Sequence, residues 1–467
     1  MNKRKRTLLL SLGVVVVLAA LLCVLLLTRP ATESQGEEAQ TLFSCSRDDI
    51  AEISVENQHG QFSMIKTDTS WEVSPYEQVP VDSTVIWDLA TKLESITPSR
   101  LVNEAPEDLS LYGLDEPAAT VRVRLSDGTE TTVYVGDEFP DESSYYIRME
   151  GSDTVWLHNM VTFDPVLEEG YYFLNKQITA SANEMQDTPI TRVEFCGPET
   201  NFEPIVIERL SEGFKDGAFN TINFQMVSPK QRYFMYAAES EYIIPLTGLT
   251  AERVAVVGLT DEILENAGLT ADKAYTATFI RDGQQHTIAV GIENDGYVAV
   301  RVDNEDWIYT VKADSVPWAH GDYYTFASVY PYAPLLSDVE TITIVSGDRS
   351  HTIEVTGESE DDYALKVDGN DVTYDNFKNF YRVLNHYYGT EPAVDVELGE
   401  ILMTITWKSR DSSSPDRVVN FYSVSGRRMA IEIDGEIDFL CRTTYIDRVL
   451  SDILIVRENQ PTSSFMS

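Results

Sequence analysis

Histidine is the side chain best suited to acid–base and metal chemistry near neutral pH. The chain has six, His59, His158, His286, His320, His351 and His386, and no two stand at metal-ligand spacing. No H-E-x-x-H, P-loop or G-x-S-x-G pattern occurs. Ser63 and Lys66 fit the S-x-x-K spacing of serine acylases, but they fall on an alternating strand and the S-D-N and K-T-G partners are missing. Acidic runs at Glu358–Asp362, Asp368–Asp371 and Asp303–Asp306 offer oxygen ligands. None has the alternating order and distal Glu that shape a Ca²⁺ loop, so they read as solvated turns. Cys45, Cys196 and Cys441 are far apart, with no C-x-x-C, which excludes a disulfide scaffold and a zinc ribbon. These patterns predict no catalytic centre, no cofactor and no metal site.

Tyrosine pairs are the remaining candidates. Tyr145-Tyr146 and Tyr323-Tyr324 could form a glycan- or peptide-binding surface, because each ring combines apolar area with a hydroxyl. In a strand, neighbouring side chains face opposite sides, so one of each pair belongs to the core.

The elements that carry these residues repeat. Residues 111–136, LYGLDEPAATVRVRLSDGTETTVYVG, align without a gap on residues 266–291, NAGLTADKAYTATFIRDGQQHTIAVG. Gly113, Leu114, Asp127, Gly128 and Gly136 fall on Gly268, Leu269, Asp282, Gly283 and Gly291. A glycine stop, a strand, an Asp-Gly turn and an alternating strand follow from these types. Upstream lie strands around Ile50–Val55, Phe62–Met64 and Trp71–Val73, then helical spacing from Val81 to Ile96 with Asp82 as a cap. Another version starts at Val339, with a helix carrying Phe377, Phe380 and Leu384. The fold class expected is α+β: an N-terminal transmembrane helix, then repeated antiparallel-sheet units with one helix each. The boundaries expected are a basic stub and anchor over 1–29, an acidic spacer over 30–46, repeats over 47–180, 185–330 and 336–456, and a polar tail over 457–467.

The anchor rests on Leu8–Leu27, twenty uncharged residues behind Lys3, Arg4, Lys5 and Arg6. A helix of that length covers the ~30 Å hydrocarbon core. The basic flank stays cytoplasmic, which puts the rest outside as a single-pass membrane protein. Net charge is −41, and every Asp and Glu lies beyond the apolar stretch. Nucleic acid and anionic lipid surfaces are therefore poor partners for the ectodomain as a whole.

Residues Trp71 to Trp156 resemble the bacterial family of domain of unknown function 4340. The features are the tryptophan strand, the helix WDLATKLESI, Arg100, LYGLDEP at Leu111–Pro117, the Asp-Gly hairpin, VGDE and YYIRMEG. The resemblance implies a single N-terminal anchor and a role beside ABC-type export components. The function expected is that of a non-enzymatic accessory or scaffold component of an ABC-type export or envelope system. The alternatives are a cell-envelope glycan- or peptide-binding module and, third, a cell-wall hydrolase. Its partners would be the cytoplasmic membrane and transporter subunits or envelope polymer.

Overall fold

The computed structural model describes residues 40–140, 142–180, 189–198, 203–215, 221–235, 237–330 and 332–463. The predicted anchor lies outside them. Among the described residues no helix is long and apolar enough to cross a membrane. The chain is sheet-rich, with four antiparallel sheets and few helices, divided into one compact unit up to Asn175 and another from Lys176.

The first unit is built on an eight-stranded sheet. Its strands run, in spatial order, Trp71–Ser74, Gly60–Lys66, Ile50–Asn57, Ala119–Leu125, Glu130–Glu138, Ser144–Met149, Val155–Asn159 and Arg100–Asn103. Alternation explains the layering. Val121, Val123, Val133 and Val135 point inward and are fully buried, whereas Arg122 is exposed. Helix Ser83–Leu93 buries Ile86, Leu89 and Leu93, which stabilises the unit by roughly 1.5–3 kcal/mol per side chain. Asp82 starts it by accepting hydrogen bonds from the Thr84 and Val85 N–H groups. A second helix, Met160–Leu167, follows the last strand. The expectation of one helix per unit is corrected here, because Pro165 hides that segment from helical spacing. Residues 42–45, assigned from sequence to the spacer, instead pair with residues 94–96, and Phe43–Ser44 forms a small sheet with Ser95–Ile96.

The second unit holds two nine-stranded sheets. One is ordered Arg232–Tyr233, Thr221–Ser228, Ile205–Lys215, Arg192–Cys196, Tyr275–Arg281, Gln284–Asn294, Tyr297–Val302, Trp307–Lys312 and Arg253–Val257. The other is ordered Asn370–Val372, Ala364–Val367, Arg349–Thr356, Val339–Ser346, Ile401–Ser409, Arg417–Ser425, Arg428–Ile433, Glu436–Arg442 and Glu391–Pro392. In all three large sheets an N-terminal meander and a C-terminal four-stranded meander meet through their first strands. A strand between the intervening helical segment and the second meander closes the far edge. Each sheet tapers at both sides, ending in strands of two to five residues. The intervening segment is the helix Tyr374–Leu384 in the last sheet but a π-helical turn Glu239–Ile243 and a 3-10 turn Ile244–Leu246, carrying Pro245, in the middle one. The last sheet, like the first, adds a helix after its final strand, Thr444–Arg457.

Candidate functional site

The aligned glycines occupy matching places. Gly113, φ +63°, closes the turn Leu109–Tyr112, and Gly268, φ +69°, closes the helix Asp261–Ala267. Leu114 and Leu269 follow them into the core. A Cβ on Gly136 would stand 2.2 Å from the Tyr112 carbonyl oxygen, and one on Gly291 would stand 1.9 Å from that of Ala267. In both strands the register shifts just beyond the glycine, between Val135 and Glu138 and between Val290 and Glu293. The motif thus presses a glycine cap against a bulged strand. Asp282 and Gly283, both at positive φ, form a two-residue hairpin turn, and the pairs at Asp295, Asp368 and Asp434 do the same. Asp127-Gly128 sits in a longer turn, where Asp127 accepts from the Thr129 N–H.

Tyr145 and Tyr146 belong to the first unit, Tyr323 and Tyr324 to the second. Tyr145 is buried and donates to Asp164 Oδ1 at 3.0 Å; burial, with Asp164, pushes its pKa up to about 12. Its assignment to a binding surface is therefore corrected: it is the inward member of its pair. Tyr146 packs edge-on against Tyr112 and Phe139. Tyr323 and Tyr324 lie in the short helix Tyr323–Phe326, not in a strand, so both face the interior in part. Burial and the neighbouring Asp438 raise the Tyr323 hydroxyl, and Tyr324 packs on Phe439.

The acidic turns use their oxygens internally. Asp303 Oδ1 accepts from the Thr287 N–H at 2.6 Å and its Oδ2 lies 2.8 Å from His286 Nδ1. Asp368 repeats this with Thr352 at 2.9 Å and His351 at 2.7 Å. Asp362 accepts from the N–H groups of Glu358 and Ser359. Glu305 stands apart: burial first, then the Asp303 charge, raises its pKa to about 7. Among the described residues no group of three or more His, Cys, Asp or Glu could hold a metal ion.

The best-built polar site lies where the two sheets of the second unit meet. Asp438, on strand Glu436–Arg442, is 5% exposed. Its carboxylate takes Arg232 Nε at 2.8 Å and Lys230 Nζ at 3.1 Å, and Lys230 also reaches Glu436 at 2.6 Å. Burial alone would raise the Asp438 pKa, but the two cations outweigh it and hold the carboxyl below its usual range. The cluster ties the edge strand Arg232–Tyr233 to the last sheet. Further ties come from the linker between the sheets, where Tyr381 Oη donates to the Pro334 carbonyl at 2.7 Å and Tyr387 Oη to that of Tyr332.

Beside this joint an open cleft of about 600 Å³ is lined by Lys230, Arg232, Tyr233, Tyr332, Arg417 and Glu436. It continues past Tyr233, Tyr332 and Arg417 into a second hollow of about 610 Å³ that reaches Arg410 and Asp411. One guanidinium nitrogen of Arg232 and the Nε of Arg410 are buried without a hydrogen-bond partner among the described residues. No histidine or cysteine lines either hollow. The arrangement can grip an extended polar chain through guanidinium, phenol and carboxylate groups.

Sequence reasoning missed this site because its residues come from segments some two hundred positions apart. Two signals were present: SPKQRY concentrates cations in an acidic chain, and Asp438 interrupts the apolar run of EIDFLC.

Fold and site together define a sheet-rich protein with an open polar cleft in its second unit. Residues 71–271 match the family described as Domain of unknown function (DUF4340). The match runs from the first sheet's edge strand through LYGLDEP and ends just past Gly268-Leu269, so it covers both glycine caps. No curated protein and no solved structure matches the chain.

Proposed function

We propose that the protein is a non-enzymatic extracytoplasmic scaffold, held to the cell membrane by one N-terminal transmembrane helix. It carries three repeated α+β units and serves an ABC-type export or envelope system by gripping a peptide segment of a partner in the Tyr233–Tyr332 cleft. The observation that carries this reading is the buried Asp438 with its two cations. It ties two sheets together beside a groove lined by the guanidiniums of Arg232 and Arg417 and the phenols of Tyr233 and Tyr332. A rigid, open, polar groove without a histidine suits holding rather than turnover. The apolar run Leu8–Leu27 and the family's association with exporters support the location and the partner.

Crosslinking in intact cells, followed by purification from membranes, should recover transporter subunits, and Arg417→Glu should reduce that recovery several-fold. External protease should digest the ectodomain. Recovery unchanged by Arg417→Glu would overturn the cleft as the grip, and cytoplasmic protection of residues 45–467 would overturn the location.

A further inference from the structure

Arginine is gathered at one corner of the last sheet, although acidic residues outnumber basic ones more than two to one in this chain, 76 against 35. Arg428 and Arg442 are direct cross-strand partners on the antiparallel strands Arg428–Ile433 and Glu436–Arg442, and Arg427 is next to them. Like charges directly opposite cost stability by roughly 0.2–1 kcal/mol. Such a pair needs a compensating role. Glu391 satisfies Arg428 at 3.0 Å, but among the described residues Arg427 and Arg442 have no ion-pair partner. All three arginines line a hollow of about 690 Å³ with the hydroxyl-bearing Thr390, Thr443 and Thr444. The fourteen-residue helix Thr444–Arg457 starts at this hollow, and its N-cap Thr443 makes no side-chain cap hydrogen bond. Its positive end therefore adds to the arginine field.

A second cavity, of about 370 Å³, adjoins the first and shares Thr390, Arg442 and Thr444 with it. Four aromatic side chains, His386, Tyr387, Tyr388 and Tyr445, line it. Tyr387 and Tyr445 are locked by hydroxyls that donate to the Tyr332 and Leu384 carbonyls, and their rings meet at 5.8 Å. Tyr388 and the half-buried His386 complete the opposite side. Burial lowers the His386 pKa, so the ring stays neutral near pH 7.

We propose that these two joined cavities bind a small organic anion, with its phosphate or carboxylate on Arg427 and Arg442 and its apolar or aromatic body between Tyr387, Tyr388 and Tyr445. The site is distinct from the Tyr233–Tyr332 cleft. Two uncompensated guanidiniums beside a stiff aromatic slot match a ligand with both characters.

Titration of the full-length protein in detergent with 1-naphthyl phosphate should give saturable binding by calorimetry. Inorganic phosphate should bind at least tenfold more weakly, and 1-naphthol likewise. Arg427→Gln and Arg442→Gln, both exposed changes that leave the core intact, should each weaken naphthyl phosphate binding about tenfold, and Tyr388→Ala should weaken it by a similar factor. Short-chain phosphatidylglycerol that displaces the probe would identify a lipid headgroup as the source. Failure to displace it would assign the site to a soluble anion. Absence of saturable binding, binding of 1-naphthol as tight as that of the phosphate, or binding unchanged in both arginine variants would overturn the proposal.

Discussion

A single carboxyl group sets a pH signature that can be read directly. Glu305 is raised from 4.5 to about 7 by burial and by Asp303, in a turn where Asp303 and Asn304 both have positive φ. Its neutral form is the one the fold accommodates. The stability it contributes is complete below pH 4.5 and is lost as pH rises through about 7. Glu305→Gln keeps the shape and removes the titration. The variant is expected to melt higher than the wild type at pH 8 and level with it at pH 4, measured by thermal denaturation at both values. The turn's other acids are hydrogen-bonded. Asp303 is occupied by His286 and the Thr287 N–H, a pin that recurs as Asp368 with His351 and Thr352. Six histidines at unrelated spacings hid that recurrence. Each His-Thr is joined to an aspartate in the turn just past the end of the next strand, and only the pairing register reveals which one.

Glycine caps are where elements show most clearly how much the sequence discloses. Gly113, Gly136, Gly268 and Gly291 are legible as an aligned set because their spacing survives while the side chains between them drift. What was illegible is the reason: at Gly136 and Gly291 a carbonyl lies where a Cβ would be, and Gly113 and Gly268 hold positive φ. Gly136→Ala and Gly291→Ala should each destabilise the protein by about 1–3 kcal/mol, since backbone must move to admit the methyl group. Gly283→Ala meets no atom within 4 Å and carries only the cost of its positive φ, about 1 kcal/mol. Chemical denaturation should rank Gly291→Ala as the more damaging of the two. Strands were legible wherever one face is buried, as in Val121 and Val123. Helices were less so: Ser83–Leu93 follows helical spacing, whereas Met160–Leu167 contains a proline and Glu239–Leu246 never becomes α-helical. Local pattern shows of the cleft only the cations of SPKQRY and the break in EIDFLC, because Arg232 and Asp438 become neighbours only after two sheets have formed.

Within the second unit, the joint at Asp438 governs how the two large sheets hold together. Replacing Asp438 with Ala strands Arg232, which is only 18% exposed, without its carboxylate. Breaking a buried pair in this way costs about 3 kcal/mol. Amide exchange in the edge strand Arg232–Tyr233 should accelerate on the order of a hundredfold in this variant. Glu436→Gln, which removes a half-exposed partner of Lys230, should change it less than tenfold. Equal effects from the two substitutions would mean that burial is not what makes the joint. The same scale also gives meaning to the tapered sheets. A broad antiparallel sheet is a template on which a second copy can add strands, and that hazard grows with the length of the exposed margin. Here the margins are Trp71–Ser74 and Arg100–Asn103 in the first sheet, Arg232–Tyr233 and Arg253–Val257 in the second, and Asn370–Val372 and Glu391–Pro392 in the third. None offers a neighbouring molecule more than a short row of unpaired amide groups, and one ends in a proline that has no N–H to give. Many copies can therefore crowd side by side without zipping into a fibre, which leaves side-chain surfaces, rather than backbone, to decide what the protein meets.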